Sequence, residues 1–385
     1  MFVVLANATL AQYFQGGGHW TWFLQYLLGL QQLGHRVFWL EVMRSTQKAD
    51  ADRQAVRKFF GRLTEFGLER DAAVVVTPNS PVGDIDQVEV HGRSPIELVG
   101  IARDADLLWN FWYALEDPFL HRFRRRAFID VDPGHLQVCV ALGACALGDH
   151  DTYLTVGLNV AEESCEIPTL GLKWRPFRPF VHMPSWHVAA DPGYQAPFTS
   201  VTHWQWEELH YQNRVLSLSK REAYLRYLTL PRITGRRFEL AANISRADPA
   251  GDRELLLRNG WNVVDPHHVA PTPAAYREFI QKSRVEFVCP KPIHLQLNTG
   301  WLSDRSIAYL ASGRPVVAED TGFSSKLPVG YGFLAFRSLE EAAAAVAEVD
   351  ANYQRHSLEA RELAETYFDS RRCLSEMLSA CEPSL

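Results

Sequence analysis

The sequence predicts an α/β protein of two Rossmann-like domains facing each other across a cleft. Three observations lead there. The chain has 385 residues, more than a single hydrophobic core usually organises. Short apolar runs alternate with stretches of helical periodicity along almost its whole length. An aromatic stretch punctuated by prolines, Lys173 to Pro197, cuts that alternation in two. On this reading residues 1–178 form a first domain, 179–197 a linker and 198–385 a second domain, with the last helices free to pack back on the first.

The elements follow in order. Phe2 to Ala6 is a first strand, and a twelve-residue loop ends in Gly16-Gly17-Gly18-His19. A helix then runs to Leu33 and stops at Gly34. Val37 to Leu40 is the next strand, so the opening is one βαβ unit and implies a parallel sheet. Runs at Ala72 to Val76, Leu107 to Phe111 and Ala127 to Val131 continue the sheet. Ser94-Pro95-Ile96-Glu97 supplies an N-cap, a proline at N1 and a capping-box glutamate for one of its helices. Beyond the linker come strands at Phe198 to Val201, Phe238 to Ala242, Trp261 to Val264, Val285 to Val288, Pro315 to Ala318 and Phe333 to Phe336. Helices opened at Ser219, Asp252, Thr272-Pro273 and Ser303 lie between them. From the capping box Ser338-Leu339-Glu340-Glu341 onward the chain is helical.

Composition narrows the function classes. With 47% hydrophobic, 12% aromatic and 22% charged residues the chain is an ordinary globular protein, not a disordered one. A net charge of -6 gives no global electrostatic case for nucleic acid or anionic membrane, and neither is expected as a partner. The apolar N-terminus has no basic start and reads as a strand rather than a signal peptide. No run of about 18 apolar residues exists, so no stable membrane insertion is expected. Six cysteines without a Cys-x-x-Cys pair fit reduced thiols in the cytoplasm.

The most specific stretch runs from Asn298 through Thr299, Gly300, Ser303, Asp304 and Arg305 to the strand at Val317, with Thr321 and Gly322 in the loop beyond. A polar loop entering a helix presents free N–H groups and a positive dipole end, and Arg305 in the first turn adds a planar fork suited to a diphosphate. The competing reading is a solvated, normally capped helix. The segment Ala308 to Val317, with Glu319-Asp320-Thr321-Gly322-Phe323 after it, resembles the C-terminal domain of GT-B glycosyltransferases, whose pattern is A-hydrophobic-A-S-G-x-P-V-V after an acidic residue. The resemblance extends to the glycine loop and first helix, Gly16 to Leu33. Many retaining members carry two acidic residues where this chain has Gly300 and Ala308, and Asp304-Arg305 is similar to the Arg-containing variant of some bacterial branches.

The resemblance implies an acceptor-binding first domain and a second domain that holds a nucleotide-diphosphate sugar as co-substrate, with no other cofactor. Gly17 and Gly18 permit close approach of a ligand but lack the G-x-G-x-x-G spacing of dinucleotide folds, which removes support for hydride transfer. His19 at the helix start is the candidate base, similar to the histidine that inverting GT-B enzymes place after the first loop. Asp130 and Asp132, in Asp-Val-Asp-Pro-Gly at a strand end, are candidates for an acceptor contact or for orienting His19, and equally for building a turn. Val264 and His267 lie on the strand-end rim where a nucleobase would sit, and Lys291 on the same rim could meet a phosphate. No His-Glu-x-x-His occurs and no metal site is expected. The basic run His121 to Arg126 reads as a solvated face or a peripheral anion contact, and Trp204 and Trp206 as core or a stacking platform.

The function expected is metal-independent transfer of a sugar from a nucleotide diphosphate to a small-molecule hydroxyl or amine, with inversion. A nucleotide-sugar epimerase on the same fold and a non-catalytic nucleotide-sugar binding protein are the alternatives.

Overall fold

The computed structural model describes residues 1–385 apart from 79, 161, 246 and 383–385. The first sheet is built from β1 (Phe2–Ala8), β2 (Arg36–Arg44), β3 (Ala72–Thr77), β4 (Glu89–His91), β5 (Leu107–Phe111), β6 (Arg126–Asp130), β7 (Thr152–Thr155) and β8 (Trp174–Pro176). Their spatial order is β4-β3-β2-β1-β5-β6-β7-β8, and every pair is parallel except β3 with β4. Helices α1 (Gly17–Gln32), α2 (Ala49–Thr64), α3 (Pro95–Asp104) and α4 (His135–Ala141) connect them. The central strands β1, β3 and β5 are buried on both faces, which is why they read as unbroken apolar runs.

The second sheet holds β9 (Phe198–Thr202), β12 (Phe238–Ala242), β13 (Trp261–Val264), β14 (Val285–Val288), β15 (Val316–Glu319) and β16 (Phe333–Phe336), all parallel in the order β13-β12-β9-β14-β15-β16. A hairpin of β10 (Glu208–Tyr211) and β11 (Arg214–Ser217) is inserted after β9. The helices are α5 (Lys220–Leu225), α6 (Leu230–Thr234), α7 (Asp252–Arg258), α8 (Pro266–Val269), α9 (Pro273–Lys282), α10 (Pro292–Gln296), α11 (Asp304–Ala311), α12 (Leu339–Ala351), α13 (Tyr353–Tyr367) and α14 (Ser370–Ala380).

The proline-rich connection is not slack. Its start is the strand β8, and Phe177 and Phe180 then join the core of the first domain while Val181, Met183 and Trp186 join that of the second. Two backbone bonds tie Val181 to Phe368 and Ser370 at the head of α14 (3.0 and 2.9 Å). From there α14 crosses to the first domain, burying Cys373, Leu374, Met377 and Leu378 in its core. Gly29 of α1 makes that docking close: a Cβ there would meet Leu374 Cδ1 at 2.5 Å. α1 itself buries Trp20, Phe23, Leu24, Leu27 and Leu30 on its core face. Phe23 and Trp39 pack with ring centroids 4.5 Å apart, so an aromatic cluster fixes the helix to the sheet.

All six cysteines are free. Among the described residues no helix is long and apolar enough to cross a membrane.

Candidate active site

The carboxyl ends of the two sheets face each other, and a cleft of about 390 Å³ lies between them. The first domain contributes the loop after β1, Trp22 of α1, Trp112 after β5 and Val131 and Asp132 after β6. The second contributes His203 after β9, Lys220 at the head of α5, His267 of α8, Lys291 after β14 and Ser303 to Arg305 at the head of α11. Open α/β sheets gather ligands at this end because successive crossovers leave a crevice there.

Three cations of the second domain reach the cleft, in three different states. Arg305 is buried, with Nε bonded to Glu286 in β14 and Nη1 donating to the Val201 carbonyl at 2.6 Å. Its Nη2 has no hydrogen-bond partner among the described residues. Burial opposes its charge, but Glu286 beside it holds the guanidinium firmly protonated. Lys291 is paired across the cleft with Asp132 of the first domain. Lys220 has no ion-pair partner among the described residues; its Nζ stands 5.4 Å from the centre of the Trp301 ring. Burial, with Arg305 and Lys291 nearby, pushes its ammonium down to about 7. Lys220 is the functional candidate that sequence reading missed. Like Arg305 it is a cation in a helix's first turn, where the dipole disfavours it, and that signal was available.

His19 faces the cleft from the first domain. Its ring lies edge-on to Tyr13 at 4.9 Å and to His203 at 5.7 Å. Enclosure in the cleft, and then His203, push its imidazole down to about 4, so at neutral pH it is an uncharged proton acceptor. The structure does not bring Asp130 or Asp132 to it. Asp130 is buried beneath the cleft floor and accepts from Thr155 Oγ1 (2.6 Å), Gln137 Nε2 (2.8 Å) and the Asp132 amide (3.0 Å), closing the turn after β6. Burial pushes its carboxyl up to about 6. Asp132 is engaged by Lys291, by His135 Nδ1 at 3.0 Å and by His294 at 3.6 Å. Burial alone would raise its pKa, but those neighbours hold it well below the usual carboxylate range. Both aspartates are therefore spoken for, one by a turn, as one reading of the sequence had it, and one by the opposite domain; among the described residues neither contacts His19.

Other expected donor residues divide. His267 lines the cleft and meets the Tyr13 hydroxyl at 3.1 Å, and Ser303 and Asp304 line it too. Val264 ends β13 without reaching the lining. Asn298, Thr299, Gly300 and Gly322 sit on a seam between the domains instead, and Thr321 is bonded behind them to Gly300 and Trp301. There the Asn159 amide donates to the Thr299 carbonyl (3.2 Å), and its side chain to those of Asn298 and Gly322 (3.2 and 3.3 Å). The glycine loop also admits something other than a ligand. A Cβ on Gly17 would meet the Ala270 and Thr272 carbonyls at 2.4 Å, and one on Gly18 the Tyr276 ring at 3.1 Å. At Gly17 it is the second domain's backbone that approaches this closely, and at Gly18 a tyrosine ring of that domain. Trp204 is core, donating to Asp252 at 2.8 Å, whereas Trp206 is exposed and lines the cleft. The basic run ends where β6 begins, at the end of the sheet away from the cleft, and Arg126 is paired with Asp151 at 2.9 Å.

No family model matches the chain, and no curated protein matches it at a significant level. Solved structures do. An alpha-glucosyltransferase in complex with UDP and a 13-mer DNA containing a HMU base superposes with a TM-score of 0.62 at 11% identity, covering 99% of each chain. HepE from Anabaena in complex with UDP and glucose gives 0.58 at 12% identity over 99% of this chain and 100% of its own. Sucrose-phosphate synthase from Thermosynechococcus elongatus gives 0.53 at 11% identity over 98% and 97%. The DNA in alpha-glucosyltransferase complexes overturns the expectation that nucleic acid is excluded as a partner. Net charge was the wrong measure, since an acceptor is bound by a local surface and not by the whole protein's field. At full coverage of both chains the likeness fixes the architecture: the chain has the GT-B fold of glycosyltransferases.

Proposed function

We propose that the protein is a glycosyltransferase that moves a sugar from a nucleotide diphosphate to an acceptor hydroxyl in the interdomain cleft. The observation that carries this reading is the opposition of Lys220, a half-buried cation without an ion-pair partner among the described residues, to His19, an uncharged imidazole on the other wall. A buried ammonium without a partner is costly unless an anion completes it. A diphosphate does so, with Arg305 Nη2 as a second donor and His267 and Tyr13 at the rim for the base and ribose. As charge builds on the leaving diphosphate these groups are already in place. UDP in the structures with this fold makes UDP-sugars the first donors to test.

In the proposed reaction the acceptor oxygen forms a bond to the anomeric carbon as the bond from that carbon to the diphosphate oxygen breaks, its electron pair leaving with the diphosphate. His19 takes the hydroxyl proton and passes it to solvent. Attack from the wall opposite the cations is in line and inverts the anomeric centre. The cations of the cleft supply the charge, without a metal or a further cofactor. Six free thiols fit a reducing, cytoplasmic setting.

Incubation with labelled nucleotide sugars tests this. Release of nucleoside diphosphate that depends on an added acceptor supports transfer. Acceptor-free conversion of the sugar identifies an epimerase, and saturable binding without turnover a binding protein. The anomeric configuration of the product, read by NMR coupling, tests inversion.

A further inference from the structure

One part of the cleft lining is largely apolar and adjoins the cations rather than containing them. Trp22 of α1, Trp112 after β5, Val131 after β6 and Trp301 before α11 line it. A second cavity of about 20 Å³ lies behind and shares Trp22, Val131, Trp301 and Asp304 with the cleft.

These indoles are held in place. Trp22 packs edge-on against Tyr26 and Phe111 at 5.7 and 5.8 Å. Trp301 is stacked flat on the buried His294, with ring centroids 4.6 Å apart and planes within 4°. Trp112 and Tyr113 both have left-handed backbone, φ +54° and +42°. That region is uncommon for bulky side chains, and strain of this kind gathers where a side chain must be aimed.

Of the polar groups beside these indoles, Asp132 is already engaged by Lys291, His135 and His294, and Lys220 is the proposed diphosphate ligand. Asp304 offers a carboxylate that accepts no side-chain hydrogen bond among the described residues, and burial, partly offset by Arg305, raises its pKa. A polyol would give up water at many hydroxyls and find, besides groups already engaged, the Asp304 carboxylate in return. A flat ring loses little water, stacks on indole faces and needs a partner only for its single hydroxyl. Lys220, beside Trp301, places the donor diphosphate next to that hydroxyl.

We infer that this part of the cleft is the acceptor subsite and takes a flat aromatic ring bearing a hydroxyl, with Trp112 as a specificity-determining residue. The acceptor role rests on the glycosyl-transfer reading above; the ring-binding site does not.

The test is calorimetric titration of the UDP-loaded protein with 2-naphthol and with sorbitol, followed by assay for the naphthyl glycoside. 2-Naphthol binds at least about tenfold more tightly than sorbitol, the scale of one stacked ring. Trp112→Gly weakens 2-naphthol binding about tenfold with little change in melting temperature, because the left-handed backbone that glycine accepts offsets the packing on the first domain's core that the indole gives up. Trp112→Phe keeps a ring and stays within about threefold of the parent. Equal affinity for both probes overturns the inference. So does an unchanged Trp112→Gly, or one that loses affinity together with melting temperature, since Trp112 is then packing. Tight 2-naphthol binding with no turnover of any nucleotide sugar overturns glycosyl transfer, and the acceptor role with it, but leaves the ring site. Sugar turnover without a preference for 2-naphthol overturns the aromatic site alone.

Discussion

Glu286, fully buried in β14, holds the guanidinium of Arg305 at the head of α11. The residue that looks in sequence like a free diphosphate ligand is thus half of a buried ion pair joining helix to sheet. Breaking such a pair from one side strands the other charge and costs about 3 to 5 kcal/mol. Arg305→Met therefore unfolds at markedly lower denaturant, and Glu286→Gln added to it restores much of the loss. UDP affinity measured on the double variant isolates what Nη2 gives the donor, an effect of about tenfold. Donor affinity that matches the parent would leave Arg305 a purely structural residue.

Lys220→Met removes the unpaired cation and weakens UDP binding by about 10- to 100-fold with little change in melting temperature. The parent carries a pH signature. With the ammonium pushed down to about 7, the anion-binding form is lost as pH rises through that value, so affinity falls between pH 6 and pH 9 and binding takes up a proton. Titration in buffers of different ionisation enthalpy reads the proton directly. The variant should show neither effect.

His19→Gln leaves a folded protein that binds donor, with turnover reduced at least about 100-fold. Because the imidazole is pushed down to about 4, the acid limb of the parent's rate profile lies near pH 4 and not near 6.5. An acid limb above pH 6, absent in the variant, would show that the cleft does not depress this ring.

Glu41, in β2, is buried without an ion-pair partner among the described residues, accepting from the Ala11 amide at 2.9 Å and the Trp39 indole at 3.0 Å. Burial pushes its carboxyl up to about 8 from an ordinary value of 4.5. A folded pKa above the unfolded one means stability that is complete below pH 4.5 and lost as pH rises toward 8. Glu41→Gln keeps an acceptor for only one of these two N–H donors and turns its own N–H on the other, so it is less stable than the parent near pH 4; carrying no charge to bury, it closes that gap by at least about 1 kcal/mol, the worth of one pKa unit, by pH 8. Denaturant melts at the two pH values decide it.

The sequence by itself determined the strand and helix alternation, because burial on both faces writes a strand such as Ala72 to Thr77 as an unbroken apolar run and a capping box writes a helix start at Ser94. Trp174 to Pro176, inside the proline-rich stretch, escaped as a strand because an edge tolerates proline. Which polar residues meet was decided by the tertiary structure. Asp132 and Lys291 are separated by 159 residues yet paired, while Asn298 to Gly300, beside Arg305 in sequence, turn away to Asn159. Periodicity reports which face of an element is buried, a property of neighbours along one chain segment. A charge's partner depends on how two sheets close on each other, and Gly17, open to the second domain's carbonyls, shows that closure is set by backbone approach no local pattern records.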